Sequence, residues 1–420
     1  MSTGPSHSAP NRTERTCSSH HRAGPLAGLR VVEIGGFGPG PFAAMLLADM
    51  GADVIRVDRA RGARLAGPNY DFRKEVMHRG RRSVAVDLKH PEGASVVLEL
   101  ADRADVLIEG FRPGVCERLG IGPEDCHPRN PALVYGRMTG WGQTGPKSQE
   151  VGHDINYIAA SGVLSLIGRR DQPPTPPLSL LGDFGGGGML LTLGILSALW
   201  ERHASGLGQV VDAAMVEGAS LLGSAFFGFA QTGAWSERRG TNLVDSGAPF
   251  YDCYRTADGR WVAVGAMEPE FYADLLGVLE LAPEDLPGEQ YDQEHWPEIS
   301  TIFSDRFAER DLVQWERAAA GTNACLQAVV DIDEAHASPQ ARARGSFGTQ
   351  DGIVQPNPAP RFSRTPTSLP GAPPVPGEQT REALAAWGIS RSSIDALVEA
   401  GAVAEAPTGA GPVPPPPDGS

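Results

Sequence analysis

Gly28-Leu29-Arg30-Val31-Val32-Glu33-Ile34-Gly35-Gly36-Phe37-Gly38-Pro39-Gly40-Pro41 is an apolar run, bounded by glycines, that leads into a Gly/Pro turn. Leu29–Ile34 reads as a buried strand. Pro41 opens a helix through Met50 and Gly51 closes it, the usual asymmetry of helix ends. Working outward, Asp53–Val57, Ser83–Leu88 and Asp105–Glu109 read as further strands, with an amphipathic helix from Pro91 to about Ala101. This βαβ rhythm predicts an α/β fold, a Rossmann-like large domain on a parallel sheet with ligands at the strand C-termini.

Further along, a helix is expected from about Gly187 to His203, then a strand at Gln209–Asp212 and a helix from Ala214 to about Gln231. After Gly247 the texture changes. Tyr251–Arg255 and Arg260–Gly265 flank Asp258-Gly259, a hairpin signal. Helices near Pro269–Leu281 and Leu312–Ala320 complete a smaller α+β domain. The expected division is a large domain over 25–231, a small one over 247–345, and a Pro-rich return with terminal helices over 357–402. Residues 1–24 and 408–420 read as disordered extensions.

The formal net charge of -15 over 420 residues argues against a general nucleic-acid binder. Basic residues nevertheless concentrate between Arg56 and Arg118, which leaves room for an anionic small ligand. Cys17, Cys116, Cys126, Cys253 and Cys325 show neither a disulfide framework nor a zinc spacing, so no metal and a cytoplasmic setting are expected. No secretory signal, peroxisomal C-terminal address or membrane-crossing run is read.

Gly36–Pro41 with Asp58 invites a dinucleotide reading, but Pro41 fills the third-glycine slot and Arg59 follows the acid. Three other residues carry chemical promise. His153, in Gly152-His153-Asp154-Ile155-Asn156-Tyr157, precedes an apolar helix for which Asp154 could serve as N-cap. Asp183 precedes four glycines, either capping the next helix or leaving room for a bulky ligand against bare backbone. Glu268 lies at a strand–helix junction in the small domain.

Together these motifs resemble the 2-methylacyl-CoA racemase branch of the class III CoA-transferase superfamily. The likeness spans about Pro25 to Pro366, through Pro25–Glu33, Gly38–Pro41, Ala43–Asp58, Gly140-Trp141-Gly142-Gln143-Thr144-Gly145-Pro146, the His153 motif and Gly182–Gly188. It implies a racemase that interconverts (R)- and (S)-2-methylacyl-CoA thioesters through an enolate. His153 and Asp183 would be the acid/base pair and Glu268 the carboxylate supporting it. CoA would lie against Arg59, Val86-Asp87-Leu88-Lys89, Gly110-Phe111-Arg112, Arg118 and Gly152–Tyr157. Phe111 stands where the family has Tyr, and there is an insertion between Arg59 and Arg79. Family members form interlocked homodimers, so Glu268 is expected to reach its partners across subunits.

Inverting a stereocentre needs a base on one face and an acid on the other, with the roles exchanged in the reverse direction. Imidazole suits this near neutral pH. Asp183 requires a carboxyl held above its ordinary range, by burial or by a nearby carboxylate such as Glu268. The oxyanion would be met by a backbone N–H at a helix start, that of Asp154. No metal or redox cofactor is required. Three alternatives stand beside this reading: a class III CoA-transferase with Asp183 as nucleophile, a CoA-binding scaffold without catalysis, and an NAD-dependent dehydrogenase.

Overall fold

The computed structural model describes residues 23–60 and 71–406. Cys17, Arg61, Arg64, the C-terminal tail and nearly all of the expected N-terminal extension lie outside the described residues. The core is a seven-stranded sheet in the order β12-β3-β2-β1-β4-β5-β6. Its strands are β1 (Arg30–Ile34), β2 (Asp53–Arg59), β3 (Arg81–Val86), β4 (Val106–Glu109), β5 (Val134–Thr139), β6 (Val210–Ala214) and β12 (Val403–Ala404). The order 3-2-1-4-5-6 is that of a doubly wound dinucleotide-type fold, with its reversal between β1 and β4. Pairing is parallel except for β12, which runs antiparallel on β3 and closes that edge. Strand β5 was missed in the sequence. It is fully buried and shows no alternation.

On the sheet faces lie α1 (Pro39–Asp49), α2 (Gly93–Ala101), the short turns α3 (Val115–Arg118) and α4 (Pro123–Cys126), and α5 (Asp154–Ala160). They continue with α6 (Leu190–Ser205), α7 (Met215–Leu222) and α8 (Ser224–Thr232). The single helix expected over Ala214–Gln231 is thus two. They divide at Gly223, where a Cβ would stand 2.8 Å from Val163 Cγ2.

A wide π-helical segment, Leu180–Met189, runs directly into α6. It corrects three expectations. The helix starts at Leu180 rather than near Gly187. Asp183 lies inside it rather than capping it. The glycines serve close helix packing rather than ligand access: a Cβ on Gly186 would stand 2.7 Å from Ala219 N, and one on Gly187 2.8 Å from Pro39 Cβ. The united Leu180–Ser205 helix contains an 18-residue stretch with a mean hydropathy of 1.4 and so also meets the length and composition for crossing a membrane, contrary to the sequence reading. One side of it packs against α1, α7 and the sheet, while Leu180, Met189, Leu193 and Trp200 are exposed.

The small unit pairs β7 (Tyr251–Arg255) with β8 (Trp261–Gly265) around Gly259, which takes φ 78° at the turn. Helices α9 (Pro269–Leu279), α10 (Trp296–Phe307) and α11 (Leu312–Ala319) join β9 (Leu326–Ala328) around a core of its own. Helix α10 was overlooked, although Trp296, Ile299, Phe303 and Phe307 form a legible buried stripe. Then follow α12 (Pro339–Arg344), a hairpin of β10 (Phe347–Gln350) and β11 (Ile353–Pro356), α13 (Thr380–Ala386) and α14 (Arg391–Ala400). Between β11 and α13 the chain returns to β3, where Gly377 N–H donates to Ser83 Oγ at 2.8 Å.

Candidate active site

A cavity of about 280 Å³ opens at the C-terminal ends of β1, β4 and β5, beside the reversal of strand order. Gly36, Phe37 and Gly40 from the β1–α1 turn line one side, Gly110–Arg112 after β4 another, and Gly152, His153 and Tyr157 a third. Tyr157 is buried and meets Trp141 edge-on at 4.8 Å between ring centres. A Cβ on Gly140 would fall 2.0 Å from its ring, which explains the glycine in Gly140-Trp141-Gly142.

His153, not Asp154, occupies the N-cap position of α5, with extended backbone. Its N–H donates to Asn156 Oδ1 at 3.0 Å, and its side chain lines the cavity. Asp154 is the first helical residue and has another partner. Its buried Oδ1 accepts the backbone N–H of Asp183 at 2.7 Å. Asp183 is half-buried, with Gly38 close on its other side: a Cβ there would lie 3.1 Å from Asp183 Oδ2. Gly38 also takes φ 66°, a left-handed conformation that favours glycine.

Burial, and then the negative charge of Asp154, push the Asp183 carboxyl up to about 6, opposed by His153 and a hydrogen bond to Ser179. The neighbouring carboxylate in this chain is therefore Asp154 rather than Glu268. Glu268 stands exposed at the start of α9 and is not among the charges acting on Asp183. The sequence reading gave the Asp154 side chain an N-cap role and did not place it against Asp183. Only its place beside His153 hinted at it.

Apart from Arg103, which donates to Glu99 O, the described basic cluster separates into two sets. Arg56, Arg73, Lys74, Arg79, Arg81 and Arg82 are paired with carboxylates. Arg81 and Glu33 are fully buried, and Arg81 also donates to Pro41 O, which ties the β1–α1 turn to the sheet. Arg59, Lys89, Arg112 and Arg118 are exposed and have no ion pair among the described residues. Arg59 ends β2, while Val86 ends β3 and is followed by Asp87, Leu88 and Lys89. Unpaired cations on one rim of a parallel sheet suit phosphate groups.

Ile155 and Asn156 are exposed beside His153. Glu109, a lone acid ending the apolar run of β4, was also overlooked. It lines the cavity and accepts the Phe111 N–H at 2.7 Å. Burial pushes its carboxyl up to about 7, against the opposing effects of that hydrogen bond and Arg137. Asp58, the acid a dinucleotide ribose would need, is buried and accepts from Ser83 Oγ at 2.7 Å. The dehydrogenase alternative loses its ribose contact.

A doubly wound domain with an imidazole and a raised carboxyl at its switch point defines a class, and comparison with known families agrees. The model of CoA-transferase family III matches residues 26–380, and the chain belongs to that family. The chain is 48% identical over 372 residues to the alpha-methylacyl-CoA racemase of Mus musculus, covering 88% of this chain and 95% of that one. The Homo sapiens alpha-methylacyl-CoA racemase is 46% identical over the same shares. The fold is similar to that of a CAIB/BAIF family protein from Brucella suis, with a TM-score of 0.76 and 25% identity, over 87% of this chain and all of that one.

Proposed function

We infer that this chain is a 2-methylacyl-CoA racemase. It removes the proton α to the thioester carbonyl and returns one to the opposite face of the enolate. The observation that carries this reading is the Asp183 carboxyl beside the β1–α1 turn, held up to about 6, with His153 among the charges acting on it. One group can then hold a proton while the other lacks it. The N–H of Asp154, at the first turn of α5 where amides have no intrahelical acceptor, would meet the enolate oxygen. The chemistry is proton transfer alone and calls for no metal or redox group. The four unpaired cations, with Val86–Lys89, Gly110–Phe111 and Gly152–Tyr157, form the CoA side of the site.

The test uses one epimer of a 2-methylacyl-CoA in deuterium oxide. Inversion should take up deuterium at the α-carbon and proceed without an acceptor acid. The matching acyl-pantetheine, lacking the nucleotide, should show a KM raised by roughly tenfold or more, since charge-assisted contacts to phosphate are lost. Inversion without label would end the enolate mechanism. CoA transfer that depends on an added carboxylic acid would favour the transferase, with Asp183 as nucleophile. Against that rival, the Glu268 junction is pinned: Gln290 Nε2 donates to Ala266 O at 3.1 Å and to Met267 O at 2.7 Å.

A homodimer is part of the proposal. Leu193, Trp200, Leu221 and Phe227 on α6–α8 are exposed, Trp200 by 80%. An apolar surface of this kind is suited to a second copy. The partner would bring Glu268 to this site. A monomer in sedimentation equilibrium at assay concentrations would refute the arrangement. Free Cys116, Cys126, Cys253 and Cys325 fit a cytoplasmic setting.

A further inference from the structure

Asp154 holds an unusual position. It is 5% exposed, its Oδ1 takes the Asp183 amide, and its buried Oδ2 has no hydrogen-bond partner among the described residues. An unpartnered buried carboxylate oxygen is costly, and such groups concentrate at functional sites. The neighbouring backbone is shaped to admit it. A Cβ on Gly182 would stand 2.5 Å from Asp154 Oδ1, so only glycine allows the approach. The wide helical turn supplies the free amide. Its bonds reach back five residues, as Phe184 N–H does to Ser179 O at 3.2 Å, and the Asp183 N–H turns to a side chain instead.

We propose that the Asp154 side chain is a positioning residue for racemisation. It fixes the backbone of Asp183 and keeps a negative charge against the His153–Asp183 pair, so that the pair retains its working proton. This rests on the racemase reading and deepens it. The elements packed on the wide turn carry other charged or titratable groups: Tyr157 on α5, Glu217 on α7, Asp49 on α1, Glu201, Arg202 and His203 on α6, Tyr135 and Arg137 on β5, and Asp212 on β6. Asp154 and His153 act on Asp183, and of the others only Tyr157 is linked to it, its phenol being pushed up by burial and then by the Asp183 charge.

The two working forms of the pair carry the same number of protons, so both directions of inversion share one bell-shaped profile of kcat/KM against pH. Removing a nearby negative charge makes both protons easier to lose. The bell should therefore move towards acid.

The decisive comparison is Asp154→Asn against Asp154→Ala in the full chain, with 2-methylacyl-CoA as substrate. Asp154→Asn keeps an acceptor for the Asp183 amide, and its profile should move down by about one pH unit while much of kcat survives at the new optimum. Asp154→Ala loses the anchor as well, and kcat should fall roughly a hundredfold with KM little changed. A purely structural role would lower the rate without moving the flanks. An unmoved profile in Asp154→Asn overturns the proposal even if Asp154→Ala fails to fold. Carboxyl ¹³C NMR titration of Asp183, assigned with Asp183→Asn, reads the same charge effect without turnover. If the wild type never inverts a thioester, the racemase reading fails. The titration then decides the Asp154–Asp183 coupling by itself.

Discussion

Asp183→Asn should cut racemisation by roughly 10³-fold or more while leaving proton exchange from one epimer measurable. Asparagine keeps the shape of the side chain but neither accepts nor donates the proton. His153 remains, and from the face it serves it can still remove the α-proton and return a solvent deuteron with retention. His153→Ala should produce the complementary result, exchange confined to the opposite epimer. The pair of variants, assayed by chiral separation and mass spectrometry in deuterium oxide, tests the two-sided arrangement directly. Racemisation within tenfold of wild type in either variant would remove that residue from the chemistry. Loss of exchange from both epimers in both variants would point instead to a site assembled only when all its charges are present. CoA affinity should persist in Asp183→Asn, because Asp183 lies outside the CoA side of the site.

The second large effect concerns a residue that touches no substrate. Gly218→Ala should destabilise the fold by about 3 kcal/mol and suppress turnover as well. Its Cβ would stand 1.8 Å from Gly186 O and 2.7 Å from Gly186 Cα, and both are backbone atoms that cannot rotate aside. Helix α7 would have to back away from the wide turn that carries Asp183, so stability and catalytic geometry fall together. Gly277→Ala in α9 is the control. A Cβ there meets nothing within 4 Å, and alanine should be neutral or stabilise by up to about 1 kcal/mol. Urea midpoints for the two variants settle the matter. A Gly218→Ala protein as stable as wild type would mean that the close helix contact does not constrain the fold.

Much of this molecule was legible in its residues. The first strand, the β1–α1 turn and the Asp258-Gly259 hairpin follow from local patterning, which neighbours in sequence impose on each other. The proposed pairing of His153 with Asp183 rests on resemblance, since no spacing rule joins residues that far apart. Strand β5 escaped because burial on both faces removes alternation. The wide turn escaped because glycines argue against any helix until close packing with α1 and α7 supplies a reason for them.

By itself, the sequence determined an α/β chain with a glycine-bounded first strand, a cluster of cations near the first four strands and the residue types that acid/base chemistry needs. Only the tertiary structure decided which cations are free and which are held by carboxylates, those on Arg56, Arg79 and Arg81 being buried. It also decided that Asp154, rather than Glu268, is the carboxylate beside Asp183 within one chain. Charges act through space over a few ångströms, and a residue 29 positions away comes into that range only once the helices have packed.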